Sequence, residues 1–69
     1  MFEIRCDKAN GEHTAIRSLA RRVNAYLEVC DEEPGTVWYT MTELPGEPDA
    51  DEIEQQIAAI TCSYERIDP

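Results

Sequence analysis

The apolar residues of this chain change period within its first thirty positions, and that change limits the folds open to it. Phe2, Ile4 and Cys6 alternate with Glu3, Arg5 and Asp7, the period of two that marks a strand with one buried face. From Ile16 the spacing becomes three and four, through Leu19, Ala20, Val23, Tyr26, Leu27 and Cys30, with Arg17, Arg21, Asn24 and Glu28 on the opposite side. That spacing predicts an amphipathic helix over 14–30. Asn10-Gly11 marks the intervening turn, and Asn10 or Thr14 supplies the helix N-cap. Asp31-Glu32-Glu33-Pro34-Gly35 is expected to stop the helix, because proline lacks a backbone donor and glycine tolerates the turn. Residues 36–44 are rich in β-branched and aromatic side chains and predict a second strand. Val37, Tyr39 and Met41 take one face of it, and Trp38, Thr40 and Thr42 the other.

A compact Pro- and Gly-containing loop, Leu44-Pro45-Gly46-Glu47-Pro48, then leads to a second helix that starts at Asp49-Ala50-Asp51-Glu52. Ile53, Ile57, Ile60, Tyr64 and Ile67 keep a helical spacing and predict that this helix runs to about Arg66. The alternative is a helix ending near Ile60 and a third strand over 61–67, with Cys62 and Tyr64 facing inward, since Thr61-Cys62-Ser63-Tyr64 are poor helix formers. The expected fold is α/β (α+β): a small two-layer β-α-β-α domain, its two- or three-stranded sheet packed on two helices. The first two strands would form a parallel pair joined by a right-handed crossover.

Sixty-nine residues make one domain, and a chain of this size buries only about 60% of its unfolded surface. Small domains usually need a staple. Three cysteines (Cys6, Cys30, Cys62) are an odd number, and the opening residues lack an apolar signal-peptide core, which points to a reducing, cytoplasmic setting rather than to disulfides. The longest apolar runs fall far short of the roughly 20 residues that span a bilayer. Self-association is left as the staple, so a homodimer that completes the sheet is expected.

Charge narrows the partners. Residues 1–30 carry four acids against five bases, and residues 31–69 carry eleven acids against Arg66 alone. A back half this acidic repels DNA, RNA and anionic membranes and attracts proteins with basic surfaces. Salt adaptation or a GC-rich genome would also enrich acids, but would spread them evenly, whereas the first helix keeps Arg17, Arg21 and Arg22.

Few residues invite catalysis. Cys6, Cys30, Cys62 and His13 have no C-x-x-C spacing of the kind structural zinc sites use, and Cys6 and Cys30 read as small core hydrophobes. His13 has no third group to orient it beside a thiol. Glu47, Asp49, Asp51 and Glu52 lack the Ca²⁺-loop pattern and suit the positive end of the second helix. The glycines at 11, 35 and 46 are too scattered for a phosphate loop. No enzyme activity, metal or cofactor is expected. Trp38 alternates away from the apolar face, and an exposed Trp is a frequent anchor of interfaces.

These features predict a non-enzymatic acidic binding protein that occludes the basic, nucleic-acid-binding surface of a partner. Asp31, Glu32, Glu33, Glu43, Glu47, Asp49, Asp51, Glu52 and Glu54 would supply charge, and Trp38 or Tyr39 the anchor. In size and charge the chain resembles small phage-borne inhibitors such as anti-CRISPR and anti-restriction proteins. Separately, the stretch from Phe2 to Pro45, with its strand, Gly11, amphipathic helix and second strand ending in Thr42-Glu43-Leu44-Pro45, resembles the tautomerase superfamily. That resemblance implies a small oligomeric enzyme with an amino-terminal proline base, but Phe2 stands at the matching position. A third reading is an antitoxin or assembly subunit that buries the apolar stripe of a helix against another protein.

Overall fold

The computed structural model describes residues 1–44 and 49–67. The elements are β1 (Phe2–Asp7), α1 (Glu12–Arg22), β2 (Tyr26–Glu33), β3 (Thr36–Thr42), α2 (Ala50–Ala58) and β4 (Tyr64–Arg66). The strands form one antiparallel sheet in the order β2-β3-β1-β4. The chain is therefore a small α+β domain of four strands and two helices, in place of the expected β-α-β-α order with a two- or three-stranded sheet. Among the described residues no helix is long and apolar enough to cross a membrane.

The first helix ends eight residues before its apolar period does. Asn24 adopts φ 55, a left-handed conformation that asparagine tolerates better than most residues. There the Ala25 N–H donates to the Ala20 carbonyl at 2.9 Å and the Asn24 N–H to that of Arg21 at 3.3 Å, the paired bonds of a Schellman cap. Tyr26–Glu33 then runs as a strand, so Tyr26, Leu27 and Cys30 are not helical and Cys30 is exposed rather than buried. Pro34-Gly35 does not stop a helix. It joins β2 to β3 as a two-residue hairpin connection flanked by the Glu33–Thr36 pair.

That extra strand overturns the parallel pairing. β3 follows β2 through a tight hairpin and meets β1 antiparallel, with Ile4 opposite Tyr39 and Arg5 opposite Trp38. The strand-helix-strand order on which the tautomerase resemblance rested is interrupted by β2. The strand count behind the expected dimer, two or three, is likewise replaced by four.

At the other end, α2 stops at Ala58 and the shorter-helix alternative holds. The Thr61 N–H still bonds the Ile57 carbonyl at 2.9 Å, while the Thr61 hydroxyl accepts the Ser63 N–H at 3.1 Å. Turned this way, the chain pairs β4 with β1, Tyr64 opposite Ile4 and Arg66 opposite Phe2. Cys62 is exposed, against the inward orientation that the alternative gave it.

The helix starts differ in kind. Gly11 is the N-cap of α1, at φ 80, so neither Asn10 nor Thr14 holds that position. Asn10 Oδ1 instead accepts the Glu12 N–H at 3.2 Å, and the Glu12 carboxylate reaches back to the Asp7 N–H at 2.8 Å. Asp49 caps α2, its Oδ1 accepting the Glu52 N–H at 2.9 Å, the usual means of satisfying an orphan donor of the first turn.

Alternation along β1 and β3 works as the period of two requires. Phe2, Ile4, Cys6, Val37, Tyr39 and Met41 are buried and join Ile16, Leu19, Ala20, Val23, Ile53 and Ile57 in one apolar cluster. The intervening residues Glu3, Arg5, Asp7 and Trp38 are exposed.

Candidate docking face

Antiparallel register places the outward-pointing side chains in rows. One row reads Glu65, Glu3, Thr40, Glu28, and the next brings Arg5, Trp38 and Asp31 side by side. A third aligns Asp7, Thr36 and Glu33. With strands about 4.8 Å apart and alternate residues about 6.8 Å apart, the carboxylates of this face fall within roughly 15–20 Å of one another. Six acids (Glu3, Asp7, Glu28, Asp31, Glu33, Glu65) share it with one base, Arg5, among the described residues.

Trp38 stands at the centre and is 38% exposed. The Arg5 guanidinium lies 5.6 Å from its ring centroid, a cation–π contact that holds the indole in place and brings the one base of the face into a contact within the fold. Shallow hollows flank the ring. Glu3, Arg5, Ser63, Tyr64 and Glu65 line one with Trp38, and Glu3, Cys30, Asp31 and Tyr39 line the other. A β-bulge at Cys30 shifts the β2–β3 register between Val29 and Asp31. It brings the Cys30 thiol against the Thr40 hydroxyl and aligns Asp31 with Trp38.

Glu3 and Glu65 sit directly opposite each other on paired strands. Like charges so placed destabilise a sheet by about 0.2–1 kcal/mol. A fold that keeps such a pair retains local repulsion that a cationic partner would relieve.

Of the residues expected to bind, Asp31, Glu33 and Trp38 come together on this face. Glu32 turns to the other side, where its carboxylate takes Lys8 Nζ at 2.7 Å, and that ammonium holds it below the usual carboxylate range. Tyr39 is buried in the core, its hydroxyl pushed up in pKa by desolvation, so it is not an exposed anchor. Glu43 pairs with the N-terminal amine at 2.6 Å. Asp49 is occupied as a cap. Asp51 and Glu54 both meet Arg66, and Glu54 also accepts the Tyr64 hydroxyl at 3.0 Å, which raises the pKa of that tyrosine. Glu52 is exposed on α2, and Glu47 lies outside the described residues.

Glu3, Glu28 and Glu65 were not among the expected site residues. The alternation of Phe2–Asp7 already places Glu3 outward. Glu28 and Glu65 become visible only once β2 and β4 are read as strands.

Burial, with the Glu12 carboxylate adding to it, pushes the Cys6 thiol up to about 11, the opposite of what an activated thiol needs. His13 Nε2 makes a 3.5 Å contact with its neighbour Thr14. Among the described residues no group of three His, Cys, Asp or Glu side chains is placed to hold a metal ion. Compared with known proteins, the chain matches no family model, no curated protein and no solved structure.

Proposed function

We propose that this chain is a non-enzymatic, acidic protein-binding module that lays its outer sheet face on a basic, nucleic-acid-binding surface of another protein and thereby inhibits it. The observation that carries the reading is the exposed Trp38, braced by Arg5 and ringed by six acids that share the face with that one base among the described residues. Carboxylates stand in for phosphates, and the indole supplies the desolvated anchor that most tight interfaces need. Direct nucleic-acid binding is opposed by the same charges. The setting is the cytoplasm, where exposed thiols such as Cys30 and Cys62 stay reduced. The mode of action is that of small phage-borne anti-CRISPR and anti-restriction inhibitors.

The test begins with tagged protein incubated in nuclease-treated host lysate, the captured partner being identified by mass spectrometry. The purified partner is then titrated with its nucleic acid in the presence and absence of the chain. Occlusion predicts one stoichiometric partner, mutually exclusive binding of chain and nucleic acid, and an affinity that falls steeply as salt rises. An affinity unchanged between about 50 and 500 mM salt contradicts the electrostatic basis of the reading.

A further inference from the structure

The sheet has two unequal edges. β4 pairs over only three residues, and a strand so short presents little backbone to a neighbour. β2 is eight residues long and has β3 on one side and no strand on the other among the described residues. Its outer edge runs roughly 27 Å and carries the row of backbone donors and acceptors that templates strand addition. Tyr26 and Val29 on this strand are 59% and 51% exposed, although their types favour a covered strand.

Charge decides what that edge accepts. Glu28, Asp31 and Glu33 point to the outer face, beside Thr40, Trp38 and Thr36, while Leu27, Val29 and Glu32 share the side of Met41, Tyr39 and Val37. β2 contains no base. A second copy pairing antiparallel through this edge would set its acids against an identical set, and like charges across a strand pair are destabilising. The edge is thus blocked against itself by the usual device of charge, while its backbone, apart from the Glu32 N–H that donates to Asp31 Oδ1 at 2.9 Å, stays available to a strand of opposite sign.

We infer that β2 takes up an extended segment of the partner as a fifth strand, and that this segment alternates basic residues with apolar ones. Basic side chains would lie on the outer face against Glu28, Asp31 and Glu33. The apolar ones would lie on the helix side and cover Leu27 and Val29. Main-chain bonds would supply affinity and the alternating side chains specificity, as in other cases of strand addition. The inference rests on the docking reading, which it deepens by naming what the partner offers at this edge.

The probe is a synthetic eight-residue peptide alternating arginine and valine. Two further versions are N-methylated at every second residue, in the two possible phases. All three carry the same charge, so electrostatic attraction alone treats them alike. Strand addition uses the donors of one phase only. The expected result is saturable binding of the plain peptide by the full chain, a loss of roughly tenfold or more for one methylated phase, and near-retention for the other. The triple substitution Glu28→Gln, Asp31→Asn, Glu33→Gln should weaken the plain peptide at least about tenfold while thermal unfolding still shows a folded domain. Equal binding of both methylated phases, or absence of peptide binding, overturns the inference. So does a sedimenting dimer of the unliganded chain that the peptide dissociates. Capture of the lysate partner undiminished by saturating peptide would also overturn it and leave the docking reading standing. Peptide addition at β2 without a nucleic-acid-binding partner would do the reverse.

Discussion

The two sides of this sheet are built from the same strands and treat charge in opposite ways. On the helix side the acids noted above, Glu52 apart, have an occupation. Glu32 meets Lys8, Asp51 and Glu54 meet Arg66, and Asp49 closes the first turn of α2. On the outer side Glu3 faces Glu65 across a strand pair, and Glu28, Asp31 and Glu33 share the surface around Trp38, Asp31 alone of these three also accepting a backbone N–H, that of Glu32. Acids that the fold uses are poor candidates for a partner, because recruiting them breaks an existing interaction. Acids that the fold leaves crowded are good ones. Substitutions on the helix side should therefore move stability, and those on the outer side should move binding.

The largest expected effect tests the helix side. Phe2 is fully buried in the apolar cluster that joins the sheet to the helices, and truncating a buried Phe removes its transfer energy and leaves a cavity, at about 3–5 kcal/mol. In a domain whose total stability is on the order of 5–10 kcal/mol, Phe2→Ala should lower the urea midpoint severely or prevent folding. A Phe2→Ala protein with a near-native midpoint would mean that this side is not the core.

Raising pH probes the same side through Cys6. Its pKa goes from an ordinary value of 9 to about 11, so the folded state holds its thiol proton more tightly than the unfolded chain does. Below about pH 9 both states are protonated and nothing is lost. Between about pH 9 and 11 the unfolded state releases the proton first, and stability falls by about 2–3 kcal/mol in all. Tyr39, raised by burial, adds to the loss in the same direction at higher pH. Urea titrations at stepped pH should show the decline, and Cys6→Ala should abolish the part below pH 10. A thiol reagent at neutral pH should modify the exposed Cys30 and Cys62 before Cys6.

Trp38→Ala tests the outer side. Loss of a central aromatic anchor costs about 2 kcal/mol or more of binding, roughly thirtyfold in Kd. The indole is 38% exposed and lies against the Arg5 guanidinium, so the melting temperature should move little by comparison. A large drop in stability with binding preserved would reverse the roles of the two sides.

Much of the helix side was legible before the structure. The period of two in Phe2–Asp7 and in residues 36–42 gives the buried faces of β1 and β3 correctly, including an outward Trp38. The run from Tyr26 to Glu33 was not legible because Leu27 and Cys30 continue the spacing of Ile16, Leu19 and Val23, and a short apolar run fits either period. What decided it was one backbone conformation, the left-handed Asn24, and the β preference of the residues that follow. Reading that run as helix hid the hairpin, the edge strand and Glu28. The same ambiguity at Thr61–Tyr64 left β4, and Glu65 with it, as the alternative to a longer helix. The candidate docking face thus takes four of its six acids from elements whose period is ambiguous, and only register across strands reveals that these acids are neighbours.

The smallest predicted effect separates the two sides most cleanly, because it changes sign between them. Glu65→Lys replaces a like-charge pair with Glu3 by an opposite-charge one at the same register position. Cross-strand pairs of this kind are worth about 0.2–1 kcal/mol, so the variant should unfold at a slightly higher urea concentration than the parent. Binding to a cationic partner should weaken at the same time, since the change removes one carboxylate from the face and adds an ammonium to it. Arg66, next along the chain, faces α2 and keeps its contacts with Asp51 and Glu54, so the helix side is undisturbed and serves as an internal control. Stability gained together with affinity lost means that the repulsion between Glu3 and Glu65 is maintained for a partner. A gain in stability with unchanged affinity would place the docking surface toward Trp38 and β2, away from β4.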